Sequence, residues 1–315
     1  MAAIRRDYIE LARGARAEAA EFFRLPGNGE VRILVTGAGG MLGTDLVERL
    51  SSEHEVIGAA HDDLDVSNSS ATKSLIAEMK PDLVLHAAAY TDVDGCESNP
   101  DLAYAVNALG AQNVALGCQL AGAAMLYFST DYVFDGSSRT PYIEWDRPNP
   151  LSVYGRSKYA GERAVAHLLD KYYIVRLAWL YGERGKNFVK TMLKLGEERG
   201  SVSVVTDQIG SPTYTKDVAE GVARLIETGN YGIYHMVNSG HCSWFDFAAE
   251  IFRLAGKDVE MRPIGTAELG RPAPRPPYSA LRNFALEKTI GDPMRPWKEA
   301  LADFLSALSA SDEGV

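Results

Sequence analysis

The sequence VRILVTGAGGMLG, residues 31–43, decides the fold class of this chain. Residues 31–36 are mostly apolar and β-branched, which predicts a buried strand. Gly37 permits a tight turn, Gly40 lets backbone N–H groups approach a phosphate, and Gly43 allows a helix to pack closely. The stretch therefore predicts a strand, a pyrophosphate-binding turn and a helix N-terminus that attracts negative charge, with a ligand-free glycine turn as the alternative.

Apolar segments alternate with helical patterns beyond this unit. We predict strands at residues 55–60, 82–88, 123–129, 172–178, 201–206 and 231–237, and one long helix from Pro100 to about Gly122. This βαβ rhythm predicts an α/β fold, a Rossmann-type doubly wound parallel sheet. From residue 239 the rhythm breaks into a helix over 244–255, a short strand near Val259 and a proline-rich segment, RPAPRPPYSALRN, at 271–283.

A second pair of motifs carries chemistry: STDYVFDG at 129–136 and YGRSKYAGE at 154–162. Tyr154 and Lys158 are four residues apart, so a helix places them on one face. Asn149 is a suitable helix cap, and Pro150 suits the first helical position. A nearby cation favours the phenolate and so lowers the pKa of the phenol, which general acid catalysis on a carbonyl requires. Taken alone, the Tyr-x-x-x-Lys pair also fits an ordinary surface helix.

Composition bounds the function classes. The chain has 315 residues, 46% of them hydrophobic, enough for one large core with a smaller lobe. A net charge of −10 gives no basic footprint for nucleic acid, and no apolar run is long enough to cross a bilayer. Cys96, Cys118 and Cys242 show no metal-binding spacing, so we predict no metal site and reduced thiols in a cytoplasmic protein.

We predict a separate amphipathic extension at residues 1–30. Apolar residues recur at helical spacing from Ile4 to Phe22, and Pro26-Gly27-Asn28-Gly29 ends the pattern. Packing on its own body, packing on a second subunit, and an artefact of an upstream start codon fit equally well. We expect a docking helix that affects stability or assembly rather than chemistry.

The order and separation of the two motifs resemble extended short-chain dehydrogenases/reductases. Further segments narrow the resemblance to the dTDP-4-dehydrorhamnose reductase family over about residues 31–300: HAAAYTDVDGCE at 86–97, RLAWLYG at 176–182, KNFVKTML at 186–193 and DQIGSPTYT at 207–215. The resemblance implies NAD(P)H-dependent reduction of the 4-keto group of dTDP-4-dehydro-6-deoxy-L-mannose to dTDP-L-rhamnose. It also implies a dinucleotide-binding domain at 31–178 with 201–238 returning to it, and a substrate lobe at 179–200 and 239–315.

The resemblance assigns roles to individual positions. The implied catalytic residues are Thr130, Tyr154 and Lys158. The implied cofactor-binding residues are Gly37, Gly40, Met41, Leu42, Gly43, His61, Asp65, Val66, Ala87, Ala88, Ala89, Tyr154 and Lys158. The implied substrate-binding residues are Thr91, Val93, Thr130, Asp131, Tyr132 and Trp179, although core packing alone would also explain Tyr132 and Trp179. A nucleotide sugar is thus the expected substrate and a second copy of the chain a candidate homodimer partner.

Other functions share this scaffold. Nucleotide-sugar dehydratases need an Asp-Glu pair after the threonine, whereas Asp131-Tyr132 stands here, so dehydration lacks one carboxylate. The open alternatives are a non-catalytic NADP-binding subunit resembling the methionine adenosyltransferase β subunit, and a reductase or epimerase of another nucleotide sugar. The second strand ends at Ala60-His61 without a carboxylate, which favours NADP(H) with NAD(H) still accepted, although Asp62 and Asp63 lie next to it.

Overall fold

The computed structural model describes residues 30–312, so nearly all of the predicted extension at 1–30 lies outside the described residues. Within them the strands are β1 (Arg32–Thr36), β2 (Glu55–Ala59), β3 (Leu83–His86), β4 (Ala124–Thr130), β5 (Tyr172–Leu177), β6 (Leu180–Tyr181), β7 (Ser201–Val205), β8 (Ile209–Gly210), β9 (Thr213–Tyr214), β10 (Gly232–His235), β11 (Cys242–Ser243) and β12 (Glu260–Ile264). The α-helices are α1 (Met41–Leu50), α2 (Ser69–Met79), α3 (Val93–Ser98), α4 (Pro100–Tyr104), α5 (Gly110–Ala121), α6 (Val153–Leu168), α7 (Phe188–Arg199), α8 (Thr215–Ile226), α9 (Trp244–Leu254), α10 (Thr266–Leu269), α11 (Phe284–Thr289) and α12 (Trp297–Asp312).

The main sheet confirms the predicted doubly wound parallel fold. Its order is β2-β1-β3-β4-β5-β10, and every neighbouring pair is parallel. β1 has β2 on one side and β3 on the other, so the strand order reverses at β1. The crevice at the carboxyl ends of β1 and β3 is therefore where an open sheet of this kind binds ligands.

Helices cover both faces of the sheet, as buried parallel strands require. On one face Leu46 of α1 and Val222 of α8 pack against the strands in one buried cluster. On the other face Ile76, Val114 and Val165, from α2, α5 and α6, form a second cluster. No helix in the described range 30–312 is both long and apolar enough to cross a membrane.

One predicted strand joins a different sheet. We predicted a strand at 201–206 and the return of residues 201–238 to the dinucleotide-binding domain; the strand, β7, pairs in parallel with β12, from Ser201 beside Glu260 to Val205 beside Ile264. The reason is that β10 occupies the free edge of β5, while β7 buries one alternating face, as a lobe strand does. α8 and β10 do return to the main sheet. The rest of the domain division stays a prediction.

The active-site helix begins later than predicted. We expected Asn149 to cap it, but α6 starts at Val153, and the Ser152 side chain accepts a hydrogen bond from the Gly155 N–H at 3.1 Å. Asn149 is occupied elsewhere, because its side-chain amide donates to Asp135 at 2.9 Å and its backbone N–H to the Val133 carbonyl at 2.8 Å. The prediction of a helix carrying Tyr154 and Lys158 is confirmed; its cap was wrong.

Candidate active site

The three predicted catalytic residues meet at the carboxyl end of β4. Thr130 is the last residue of β4, and its side chain hydrogen-bonds the Tyr154 hydroxyl near the start of α6. The Tyr132 ring stands edge-on to the Tyr154 ring with centroids 5.7 Å apart. One turn further along α6, the Lys158 ammonium donates to the Phe128 carbonyl at 2.6 Å. The phenol and the Thr130 hydroxyl therefore lie in contact, with the ammonium one helical turn away.

Burial dominates the electrostatics of this pair. Burial raises the pKa of Tyr154, which the hydrogen bond with Thr130 partly opposes. Burial also lowers the pKa of Lys158 to about 7, and nearby Glu162 opposes that shift. The expected lowering of the phenol pKa by Lys158 is not what the structure shows. The ammonium is instead directed to the Phe128 carbonyl and lies 4.2 Å from the centroid of the Tyr127 ring.

A π-helical turn interrupts the long helix predicted from Pro100 to Gly122. It spans Ala105–Leu109 between α4 and α5 and contains the buried side chain of Asn107. That amide accepts from the Tyr90 N–H at 2.8 Å and donates to the Tyr90 carbonyl and the Ser157 hydroxyl, both at 3.0 Å. Asn107 thereby ties the loop after β3 to α6, a role that π-turns often have at functional sites.

The turn between β1 and α1 has the shape of a phosphate cradle. Gly37 has φ of 73°, and a Cβ there would come within 2.6 Å of the Ala88 backbone nitrogen. A Cβ on Gly43 would lie 2.2 Å from the Gly37 carbonyl oxygen. α1 begins after Gly40 with no side-chain cap and no acidic residue in its first turn. Its uncapped N–H groups suit an anionic group, so this turn fits a dinucleotide pyrophosphate.

The other predicted cofactor residues surround this turn, with differing side-chain roles. Leu42 and Val66 are core residues, 7% and 4% exposed, and their roles toward a cofactor stay predictions. Residues 87–89 follow β3 beside Gly37, and the Ala87 N–H donates to the Thr36 carbonyl at 3.0 Å. Met41 is contacted by the Asn187 amide at 3.8 Å.

The tip of β2 is the predicted position of the cofactor's 2′ group. His61 is exposed just past the strand. The Asp63 carboxylate accepts from the Ala60 N–H at 2.8 Å, and the Asp65 carboxylate accepts from the Ser67 N–H and hydroxyl at 2.9 and 2.7 Å. These two carboxylates therefore already bind nearby protein donors.

The predicted substrate side contains one unusual residue. Trp179 has φ of 44°, a conformation that is rare and strained for a bulky residue. Its ring stacks on Trp244 with centroids 3.5 Å apart, so core packing explains part of its placement. Thr91 is exposed, and Val93 begins α3 on the same side of the sheet as Tyr132. Their roles toward a substrate stay predictions.

The sequence did not reveal that the proline-rich segment at 271–283 reaches this site. Asp94 of α3 forms ion pairs with Arg275 at 3.0 Å and Arg271 at 3.4 Å. Four residues beyond Arg275, the Ser279 hydroxyl donates to the Asp131 carboxylate at 2.5 Å. The segment RPAPRPPYSALRN was predicted only as part of the lobe, because its partners lie far away along the chain and no local spacing indicates them.

A parallel sheet with its switch point at β1, a glycine turn beside it and the set of Thr130, Tyr154 and Lys158 define an extended short-chain dehydrogenase/reductase, a class of NAD(P)-binding oxidoreductases. The family model described as RmlD substrate binding domain matches residues 31–310. The chain therefore belongs to the dTDP-4-dehydrorhamnose reductase family.

Individual relatives agree with this assignment. A dTDP-4-dehydrorhamnose reductase from Streptomyces griseus is 45% identical over 287 residues, covering 88% of this chain and 94% of the relative. The crystal structure of a dTDP-4-dehydrorhamnose reductase from Clostridium acetobutylicum has a TM-score of 0.87 at 48% identity, covering 88% of this chain and 99% of that one. The Bacillus anthracis enzyme in complex with NADP has a TM-score of 0.86 at 46% identity, with the same coverage.

Proposed function

We propose that this protein reduces the 4-keto group of dTDP-4-dehydro-6-deoxy-L-mannose to the hydroxyl of dTDP-L-rhamnose, using NADPH in preference to NADH. The observation that carries the proposal is the hydrogen bond between Thr130 and Tyr154 one helical turn from the buried Lys158. This set lies at the same sheet edge as the glycine turn after β1. Family membership and the relatives' names support the choice of substrate.

The chain's own residues supply acid catalysis. The turn formed by Gly37, Gly40 and Gly43 would hold the pyrophosphate of NADPH, which when bound would supply the hydride for the reduction. Tyr154 gives its phenolic proton to the carbonyl oxygen as negative charge develops there, and the product hydroxyl forms. Thr130, in contact with the Tyr154 hydroxyl, holds that oxygen in place. Lys158, whose ammonium donates to the Phe128 carbonyl and whose pKa is lowered to about 7, would help to hold the cofactor, and Tyr154 regains its proton from solvent.

The experiment is a turnover assay with a panel of 4-keto nucleotide sugars that differ in the base and in sugar stereochemistry. We expect NADPH oxidation with dTDP-4-dehydrorhamnose, and a product whose proton spectrum is that of the L-rhamno sugar. Turnover confined to another sugar would favour the alternative function, a reductase or epimerase of another nucleotide sugar. Tight NADP binding without turnover of any panel member would favour the non-catalytic regulatory subunit.

The setting of the enzyme belongs to the same proposal. We infer a cytoplasmic location, which the free and buried state of Cys96, Cys118 and Cys242 supports. We also infer a homodimer. Leu102 and Leu109, on neighbouring turns before α5, are 48% and 49% exposed and give a second copy an apolar surface to cover. Solution mass by light scattering tests the dimer.

A further inference from the structure

Asp131 holds an unusual position in the site. Its side chain is 2% exposed, and both carboxylate oxygens are occupied. Oδ1 accepts from the Thr130 hydroxyl at 3.0 Å, and Oδ2 accepts from the Ser279 hydroxyl at 2.5 Å. Ser279 is itself 2% exposed and comes from the lobe. Both hydrogen bonds come from protein hydroxyls, so the carboxyl of Asp131 is tied to Thr130 and to Ser279.

The consequence for Thr130 follows from counting protons. A hydroxyl has one proton to donate and two lone pairs. The Thr130 oxygen accepts from the Tyr132 N–H at 3.2 Å and donates its proton to Asp131, so in its hydrogen bond with Tyr154 the phenol is the donor. While Asp131 is an anion, Thr130 therefore has no proton for a substrate oxygen. Stabilising a developing alkoxide requires that this proton turn away from Asp131.

We propose that Asp131 is a positioning residue: its protonated carboxyl donates to Thr130 and thereby turns the Thr130 hydroxyl toward the carbonyl oxygen beside Tyr154. This inference rests on the proposed reductase function. Asp131 neither gains nor loses a proton during turnover, because the hydride comes from the cofactor and the transferred proton from Tyr154. Ser279, from the proline-rich segment at 271–283, holds the carboxyl in place and stabilises its anionic form.

The electrostatic setting agrees with this geometry. Burial raises the pKa of Asp131 to about 6, and the hydrogen bonds from Ser279 and Thr130 limit the rise. The titratable groups that face it are Tyr154 from α6 and Tyr132 from its own turn. Beyond Tyr132 lie Arg275 of the lobe and Asp94 of α3. Asp131 therefore carries a proton below about pH 6 and is an anion above it.

The first test needs no substrate. The infrared difference spectrum between the wild-type protein and Asp131→Asn isolates the carbonyl stretch of the protonated Asp131 carboxyl, and we expect it to appear with a midpoint near pH 6. Ser279→Ala and Thr130→Val each remove a hydroxyl that stabilises the anion, so each should move the midpoint up by about one pH unit. The exposed Asp258→Asn is the matched control and should leave the band unchanged. Midpoints that stay fixed in both hydroxyl variants overturn the proposal.

The second test uses turnover of the 4-keto substrate. Ser279→Ala should raise kcat at pH 7 by about three- to tenfold, because a larger fraction of the Asp131 carboxyl is protonated at that pH than in the wild-type protein. A merely structural serine would lower it instead. Asp131→Asn should lose the pH dependence near 6 and keep the one near 7 that belongs to Lys158. If the kcat of Asp131→Asn still changes with pH near 6 as in the wild-type protein, the proposal is also overturned. If the wild-type protein turns over no panel substrate, the reductase function fails, and the infrared midpoints still decide the linkage of Asp131 to both hydroxyls.

Discussion

Helix α6 carries two polar clusters in succession. The first, called the catalytic cluster after its proposed role, comprises Tyr154 and Lys158 on the helix, with Thr130 and Asp131 at the end of β4. The ion-pair cluster begins one turn later, where Glu162 accepts two hydrogen bonds from the Arg176 guanidinium of β5, at 2.9 and 2.8 Å. His235 and Glu144 complete it, the carboxylate accepting from the His235 N–H at 2.9 Å.

The two clusters differ in what their charges meet. Arg176 and Glu162 are 2% and 3% exposed and face each other in a bidentate pair. Lys158 is equally buried but donates to a carbonyl, and Asp131 faces only hydroxyls and backbone N–H groups. A buried charge with neutral partners shifts toward its neutral form. The pKa of Lys158 accordingly falls to about 7 and that of Asp131 rises to about 6. Neutral partners thus keep the catalytic cluster able to titrate near neutral pH.

The largest effect on kcat is expected from Tyr154→Phe, which should leave the packing of the protein nearly unchanged. Tyr154→Phe removes the acidic proton and little volume, so kcat should fall by about 10²-fold or more while cofactor affinity and melting temperature change little. Steady-state kinetics with cofactor titration measure this. Tyr159→Phe, five residues along the same helix, is the matched control. A Tyr154→Phe enzyme with a kcat within about threefold of the wild-type value would contradict the assignment of Tyr154 as the general acid.

The opposite pattern is expected in the ion-pair cluster. Glu162→Gln leaves the Arg176 guanidinium buried without its counter-charge, and breaking a buried pair in this way costs about 3–5 kcal/mol. Urea unfolding gives the loss. Glu250→Gln breaks the Arg253 pair, in which the arginine side chain is 65% exposed, and should cost at most about 1 kcal/mol. Equal losses in the two variants would contradict the distinction between a buried and a surface pair.

Lys158 should lower the free energy of unfolding of the protein, although it takes part in the proposed reaction. Because its folded-state pKa is lowered to about 7, the unfolded chain binds this proton first as pH falls from about 10, and stability is lost down to about pH 7. Lys158→Met should therefore raise the free energy of unfolding at pH 7 by on the order of 2 kcal/mol, with the lost hydrogen bond to Phe128 allowed for. Activity and cofactor affinity should both fall.

Unfolding of the wild-type and Lys158→Met proteins at pH 7 and near pH 10 tests whether the substitution stabilises the protein, as predicted. The stabilisation should shrink toward pH 10, where the unfolded lysine is also becoming neutral. Lys194→Met changes a side chain that is 74% exposed and should show no such dependence. A Lys158→Met protein that is less stable than wild type at pH 7 would mean that burial does not disfavour this ammonium.

The smallest effect is expected outside both clusters, at the tip of β2. Asp63 is bonded to the Ala60 N–H and His61 is exposed, so we expect a modest preference for NADPH, less than about tenfold in kcat/KM. His61→Ala should reduce that preference without changing kcat. Parallel kinetics with NADPH and NADH decide it; a kcat/KM at least about tenfold better with NADH would reverse the assignment.

Local patterns were enough for the fold and for part of the site. The apolar run before Gly37, the alternation of later strands and the four-residue spacing of Tyr154 and Lys158 each depend on neighbours within one or two elements. The sheet, the glycine turn and the shared face of α6 follow from them, because strand burial, turn geometry and helical periodicity are short-range properties.

Contacts between distant segments were decided only by the tertiary structure. β7 pairs with β12 because β10 already occupies the edge of β5, and Ser152 caps α6 because Asn149 is held by Asp135. Ser279 reaches Asp131 from 148 positions away. The shifted pKa values of Asp131 and Lys158 come from burial, which the folded chain creates. The sequence by itself determined which groups this protein has for chemistry, and packing determined their partners and charge states, because desolvation and long-range hydrogen bonds exist only in the assembled fold.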